Sequence, residues 1–387
     1  MDPAVFMQGK IDLGTVGSYL GIDGRVTPEL RAHHQRQGVK FLEHFELIPR
    51  KHTPANCPDC GVPLATTDRQ RDAHEWTYVC INHLLQRKFA FLENTFLGGT
   101  FSYGQCSADK IVILLYAWYR QQPIMDLVVD LSLTSETVIY WYSIFRDIAC
   151  AIAWHEFVPI GGVKDVVEVN VTQLTYNDMS DMDDIDIYTD SEERPTIWVV
   201  GGISRTTKKR FTLVVKSIDE DALLPLLQQC IDGNSYVCVG NKLSFIETEV
   251  VFSGCGERKN FIHPPKKGQR MWVPADRFNK ECLDSKWKGP SPRPGVQPFR
   301  KHTHNLTKVW IDLKMHLKTL DNVALADQYI GEYMYRQNVL KEYGLRSKEG
   351  FIRFLHDINR VYPGIGRKGM KNRFENILDC NCHECNS

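Results

Sequence analysis

Apolar residues recur at helical spacing in the stretch that follows residue 107. Ile111, Leu114, Leu115 and Trp118 repeat at three and four residues, the period of one helix face. Pro123 opens a second helix to about Leu131, because proline suits the first helical turn. Ser132–Thr134 is a short turn, and a third helix runs from Ser135 to about Ala153. Residues 107–155 therefore predict a helix-turn-helix shape. Upstream, residues 1–50 read as a mostly helical lead-in ending in Phe41-Leu42-Glu43-His44-Phe45. Residues 51–92 hold turn residues and cysteines but little periodic hydrophobicity.

After Gly161-Gly162 the pattern changes to strands. Val166–Val171, Ile197–Ile203 and Arg210–Ser217 predict three, the last two linked through Ser204–Lys208. Asp219–Ile231 is an amphipathic helix, capped by Asp219 or Asp221 and ended by Asp232-Gly233. Ser235–Val239 is a fourth strand. A three-strand meander, a helix and a further strand is the opening of an RNase H-like α/β core.

Composition narrows the class. The chain has 387 residues, 43% hydrophobic and 24% charged, which is ordinary globular usage and excludes a largely disordered, collagen-like or coiled-coil chain. No apolar run approaches the roughly 18–20 residues of a membrane helix. The start Met1-Asp2-Pro3 has an acid and no apolar core, so no secretory signal is expected. Lys+Arg and Asp+Glu are equal at 47 each, so attraction to nucleic acid or membrane must come from a local patch. Two segments break that neutrality. Residues 175–195 carry Asp178, Asp181, Asp183, Asp184, Asp186, Asp190, Glu192 and Glu193 against Arg194. Residues 258–301 are basic and Pro-rich, with Lys266, Lys267, Arg270, Lys286, Lys288, Arg300 and Lys301. Each reads either as a solvated loop or as a binding segment, acidic for a protein partner and basic for phosphates.

The 12 cysteines fit a reducing compartment with one metal site better than a disulfide framework. Cys57-Pro58-Asp59-Cys60 is followed by Cys80-Ile81-Asn82-His83. Two close ligand pairs about twenty residues apart can close one tetrahedral zinc shell. Gly61 suits the tight turn after the second cysteine, and Tyr78-Val79-Cys80 reads as a returning strand. His52 and His74 are alternative fourth ligands. Four protein ligands leave no open position, so the zinc is expected to be structural. The tail Cys380, Cys382, His383 and Cys385 is a second candidate metal segment, or a reducible tail.

The order of these parts resembles the Merlin-type DDE transposases and their bacterial insertion-sequence relatives. The likeness covers roughly residues 50–363. It is carried by Cys57–Cys60, Cys80–His83, Thr95–Thr100, Ile111–Trp118, Val166–Val169, Trp198–Ile203 and Leu223–Leu227. It continues through Asn260-Phe261, His302-Thr303, Trp310, Glu332–Arg336, Phe354–Ile358 and Tyr362-Pro363. The fold class it implies is a multidomain α+β and α/β chain. It has a zinc ribbon over 51–100, a helix-turn-helix over 107–155, an RNase H-like core over 161–363 and a tail over 364–387.

In that family three carboxylates hold two divalent ions that activate a water or a 3′-hydroxyl. Their positions fall here on Asn170, Gly240 and Thr307. A neutral amide, no side chain and a hydroxyl do not hold a pair of hard dications. The family's usual basic character just after the first carboxylate is also replaced by the acidic segment 175–195. No catalytic magnesium is expected, and the resemblance implies a non-catalytic, transposase-derived factor in the nucleus, associated with DNA or chromatin. Alternatives are a protein-interaction module without DNA binding and a residual transposase using Glu168, Asp312 or Glu247. Arg146 is the one basic residue on the helix expected to read DNA, where Tyr140, Trp141, Tyr142 and Phe145 read more as packing. Arg69, Arg71, Arg87 and Lys88 form a modest patch around the ribbon, and Arg367-Lys368 with Lys371 and Arg373 form a weak basic cluster. Neither a DNA sequence preference nor an oligomeric state is legible.

Overall fold

A computed structural model of the chain describes residues 28–48, 50, 56–57, 59–68, 76–83, 88–89, 97, 106–162, 165–175, 196–243, 249–251, 258–262, 272–273, 299–300, 302–317 and 325–362. The rest of the lead-in, the acidic segment 176–195, most of the basic segment and the cysteine tail lie outside the described residues. So do His52, His74 and Glu247. The chain forms two compact units, Met1–His155 with Val339–Ser387, and Glu156–Asn338.

The first unit begins with helix α1 (Pro28–His44) and a three-stranded antiparallel sheet, β1 (Ala65–Asp68), β2 (Trp76–Val79) and β3 (Lys88–Phe89). Helices α2 (Ala108–Arg120), α3 (Ile124–Leu131) and α4 (Ser135–His155) follow. Their boundaries have local causes. Gln121 turns left-handed at the end of α2, and Pro123 precedes the first turn of α3. The turn 132–134 then brings Thr134, whose hydroxyl accepts the Thr137 N–H at the start of α4. Helix α2 is buried nearly all round, from Ile111 to Tyr119.

The last described helix, α8 (Lys348–Val361), belongs to this unit, although its place in sequence assigned it to the sheet domain. Its aromatic face explains why. Phe354 stacks on Trp118 at 4.6 Å and meets Phe145 edge-on, while Phe351 meets Tyr116 edge-on. The Tyr119 hydroxyl donates to the Ser347 and Gly344 carbonyls just before α8.

The second unit is built on a six-stranded sheet. Its strands are β4 (Val166–Thr175), β5 (Thr196–Ser204), β6 (Arg210–Val215), β7 (Tyr236–Val239), β8 (Glu249–Val251) and β9 (Arg258–Ile262). Spatial order is β6-β5-β4-β7-β9-β8. β4, β5 and β6 form an antiparallel meander. β7 runs parallel to β4, β9 runs parallel to β7, and β8 is antiparallel to β9. Helix α5 (Glu220–Cys230) links β6 to β7, and of the two candidate caps Asp219 is the one used, accepting the Ala222 N–H at 2.8 Å. Strand β4 runs four residues beyond its predicted end because pairing with β5 continues to Thr175↔Thr196. β10 (Trp272–Val273) and β11 (Phe299–Arg300) form a separate two-stranded pair.

Two further helices, α6 (His304–Leu317) and α7 (Ala326–Met334), cover one sheet face. Side chains alternate along a strand, so Glu168, Asn170 and Leu174 share a face on β4. Their antiparallel partners Ile203, Gly201 and Ile197 lie on the same face of β5. Leu174, Val199 and Ile203 pack there with Leu306, Val309 and Leu313 of α6 and Ile330 and Tyr333 of α7. Gly201 is needed at that contact: a Cβ on it would stand 2.5 Å from the tip of the Trp310 ring.

Candidate metal centre and the cleft at the end of the sheet

Cys57, Cys60, Cys80 and His83 converge. Their ligand atoms all lie within 4.8 Å of one another. Among the described residues this is the one group of its kind. The first pair sits on a tight turn in which the Gly61 N–H donates to the Cys57 carbonyl at 2.9 Å and the Cys57 N–H to the Val62 carbonyl at 2.8 Å. Gly61 has φ +73°, the left-handed region that glycine enters without penalty. The second pair follows directly from β2, so the strand delivers Cys80 and the turn after it delivers His83.

The distances suit a shared ion. Cys60 Sγ lies 3.5 Å from Cys80 Sγ, and Cys57 Sγ lies 3.5 Å from His83 Nε2. Tetrahedral coordination with metal–sulfur arms of about 2.3 Å gives edges of about 3.8 Å. A disulfide would need about 2.05 Å. Cys57 and Cys80 are buried. The Val62 backbone lowers the Cys60 thiol to about 6, helped by hydrogen bonds from Cys80, Asn82 and Cys57, while burial pushes the Cys80 thiol up. Three thiolates and an imidazole held this way can bind a metal, and the donor set is consistent with zinc.

The second place of interest is the end of the β4–β7 pair. Asn170 lies on β4 and Gly240 directly follows β7. The two are in contact: a Cβ on Gly240 would stand 2.2 Å from Asn170 Cγ. The Gly240 N–H donates to the Val169 carbonyl at 2.8 Å, and Asn170 Oδ1 accepts the Val171 N–H at 2.9 Å. Thr307 is exposed on α6, one turn before Trp310. Positions 170 and 240 therefore meet, and α6 carries Thr307 on the same sheet face. Their side chains supply no carboxylate.

Glu168 and Asp312, the two alternative carboxylates among the described residues, both have basic partners. Glu168 is fully buried. Its Oε1 accepts Arg205 Nε at 2.6 Å and Asn305 Nδ2 at 2.7 Å, and its Oε2 accepts the Asn305 N–H at 2.9 Å. His302 Nδ1 stands 3.4 Å from Oε1. Glu168 thus closes the N-terminus of α6 as a carboxylate cap supplied by a strand. Asp312 faces Arg210 at 3.8 Å. Arg205 and Asn305 were not singled out from sequence, and His302 entered only within a stretch that carries the family likeness. They lie far from Glu168 along the chain, and no motif spacing announces them.

Of the residues proposed for DNA contact, Arg146 is buried at 6% exposure and already has an interaction partner. Trp141, Tyr142 and Phe145 are buried with it. Arg300 lies on β11, while Lys266, Lys267, Arg270, Lys286, Lys288 and Lys301 lie outside the described residues. No described helix is long and apolar enough to cross a membrane.

No protein-family model, curated protein or solved structure matches the chain.

Proposed function

We propose that the chain is a transposase-derived protein that keeps an RNase H-like core without its nuclease centre and acts as a DNA- or chromatin-associated factor in the nucleus. The observation that carries this reading is the meeting of Asn170 and Gly240 where the parallel pairing of β4 and β7 ends. That is where such a core places two of its three carboxylates, and here an amide faces a bare backbone. The strand order β6-β5-β4-β7-β9, antiparallel and then parallel, is in keeping with it. Zinc is the metal we assign to Cys57, Cys60, Cys80 and His83, as a structural staple with no position left for substrate. Phosphate contact is assigned to the basic segment 258–301 and the ribbon.

Binding of the purified protein to duplex DNA across a salt series, with and without magnesium, tests the reading. Binding that weakens steeply with salt, with no nicking under magnesium, is the expected result. Magnesium-dependent nicking would overturn the loss of catalysis. Absence of binding at low salt would overturn the DNA role.

That second outcome leaves a protein-interaction reading, which one observation favours. Helix α4 buries its single arginine, and the exposed charge in its first turn is Glu136. That helix offers the major groove no exposed lysine or arginine.

A further inference from the structure

Helix α3 exposes a face that the core does not use, and the start of α4 exposes side chains of its own. Met125 and Val129 are 65% and 75% exposed and stand one helical turn apart, so they form an apolar row. Asp126 and Asp130 are exposed beside them and form an acidic row of the same pitch. Past the turn 132–134, Ile139 is 45% exposed and Glu136 is exposed. The other side of α3 is anchored by buried Leu127 and Leu131, so the helix cannot roll to hide Met125 and Val129. The stretch 121–145 contains no lysine, arginine or histidine. A single exposed apolar side chain is ordinary. An apolar row edged by charges of one sign on a fixed helix pair marks an interaction site.

We propose that this face docks a basic amphipathic helix of a partner protein. Aliphatic side chains of that helix lie along the Met125–Val129 row and reach Ile139. Its flanking lysines or arginines face Asp126, Asp130 and Glu136. The thioether of Met125 adapts to side chains of different shape. A phosphate backbone is repelled by the same three acids. The site does not depend on the DNA-associated reading and stands whether or not the basic segment contacts DNA.

The test uses the full chain and a fluorescein-labelled synthetic helix of leucine and lysine, with a counterpart carrying glutamate for every lysine. Anisotropy is read across a salt series. The lysine probe is expected to bind, more weakly as salt rises. The Asp126→Lys/Asp130→Lys variant should weaken it about tenfold or more and turn the preference toward the glutamate probe. Met125→Gln/Val129→Gln should weaken the lysine probe without that reversal. Both variants should keep the parent's unfolding midpoint, since all four positions are exposed. Lack of binding, or equal binding by parent and variants, overturns the site; the latter places the probe on another acidic segment. Concentration-dependent self-association that both variants abolish gives the face to a second copy instead. Loss of duplex DNA binding in Met125→Gln/Val129→Gln gives it to nucleic acid.

Discussion

The cysteine–histidine cluster and the cleft at Asn170 are both places where distant residues are brought to one point, and they differ in what arrives. At the cluster every position delivers a donor, with sulfur and nitrogen atoms at coordination distances. At the cleft, positions 170 and 240 touch, but they deliver an amide and a bare backbone. The contrast separates architecture from chemistry. The cluster depends on its donors, because a short three-stranded sheet has little core of its own and a shared ion would hold it. The cleft needs no ligand, because β4 is paired along both edges and Gly240 is tied to Val169 by a backbone hydrogen bond. Side chains there can be lost without loss of the fold.

The largest expected effect breaks the cluster. Cys57→Ala should abolish stoichiometric metal binding, read by elemental analysis, and unfold the β1–β3 sheet. Metal-linked folding in sites of this kind is worth on the order of 10 kcal/mol. Metal content equal to that of the parent would rule out these four donors. Next in size is Glu168→Ala. It leaves Arg205 without its buried partner and the first turn of α6 without its acceptor, at a cost of about 3–5 kcal/mol to the second unit. Denaturant unfolding would measure this. A loss below about 1 kcal/mol would return Glu168 to the residues free to hold a cation.

How legible these two places were follows from the range of their interactions. The cluster could be read because each ligand pair is local: Cys57 with Cys60, and Cys80 with His83, on one turn each. The helices at 107–155 and the strands at 166–239 could be read from periodicity, which is also local. The Glu168 cap could not, because its partners Arg205 and Asn305 come from a turn and a helix start distant in sequence. Arg146 misled for a related reason. A single arginine on a helix suggests a surface, but α4 is buried along most of its length and turns that arginine inward. Helix α8 packs in the first unit, and only its aromatic contacts reveal that. The short strands β8, β10 and β11 carry too few residues to show alternation.

A third experiment sharpens the comparison by trying to convert the cleft into a cluster. Gly240→Asp alone forces a Cβ to within 2.2 Å of Asn170 and should cost about 1–3 kcal/mol, unless Asn170 swings away. The combination Asn170→Asp, Gly240→Asp and Thr307→Glu should recover stability when manganese is added, because ligand bound only by the folded state raises its unfolding midpoint. The parent should show no such shift. If the triple variant also shows none, the three positions do not surround one cation.

The smallest effect concerns protons at the cluster. Thiols must lose theirs to bind metal, so affinity falls as pH falls. The Val62 backbone holds the Cys60 thiol down at about 6, while burial holds Cys80 up. At pH 7 the metal-free protein therefore has Cys60 already deprotonated and Cys80 still protonated. Metal binding then releases the Cys80 proton but not the one from Cys60. Below pH 6 Cys60 also carries a proton that must leave. Proton release on binding, measured by calorimetry in buffers of different ionisation enthalpy, should be greater at pH 5 than at pH 7 by about one proton or more. Each displaced proton weakens the apparent affinity by up to about tenfold per pH unit. Equal proton release at the two values would mean that the Val62 contact does not hold Cys60 as a thiolate at neutral pH.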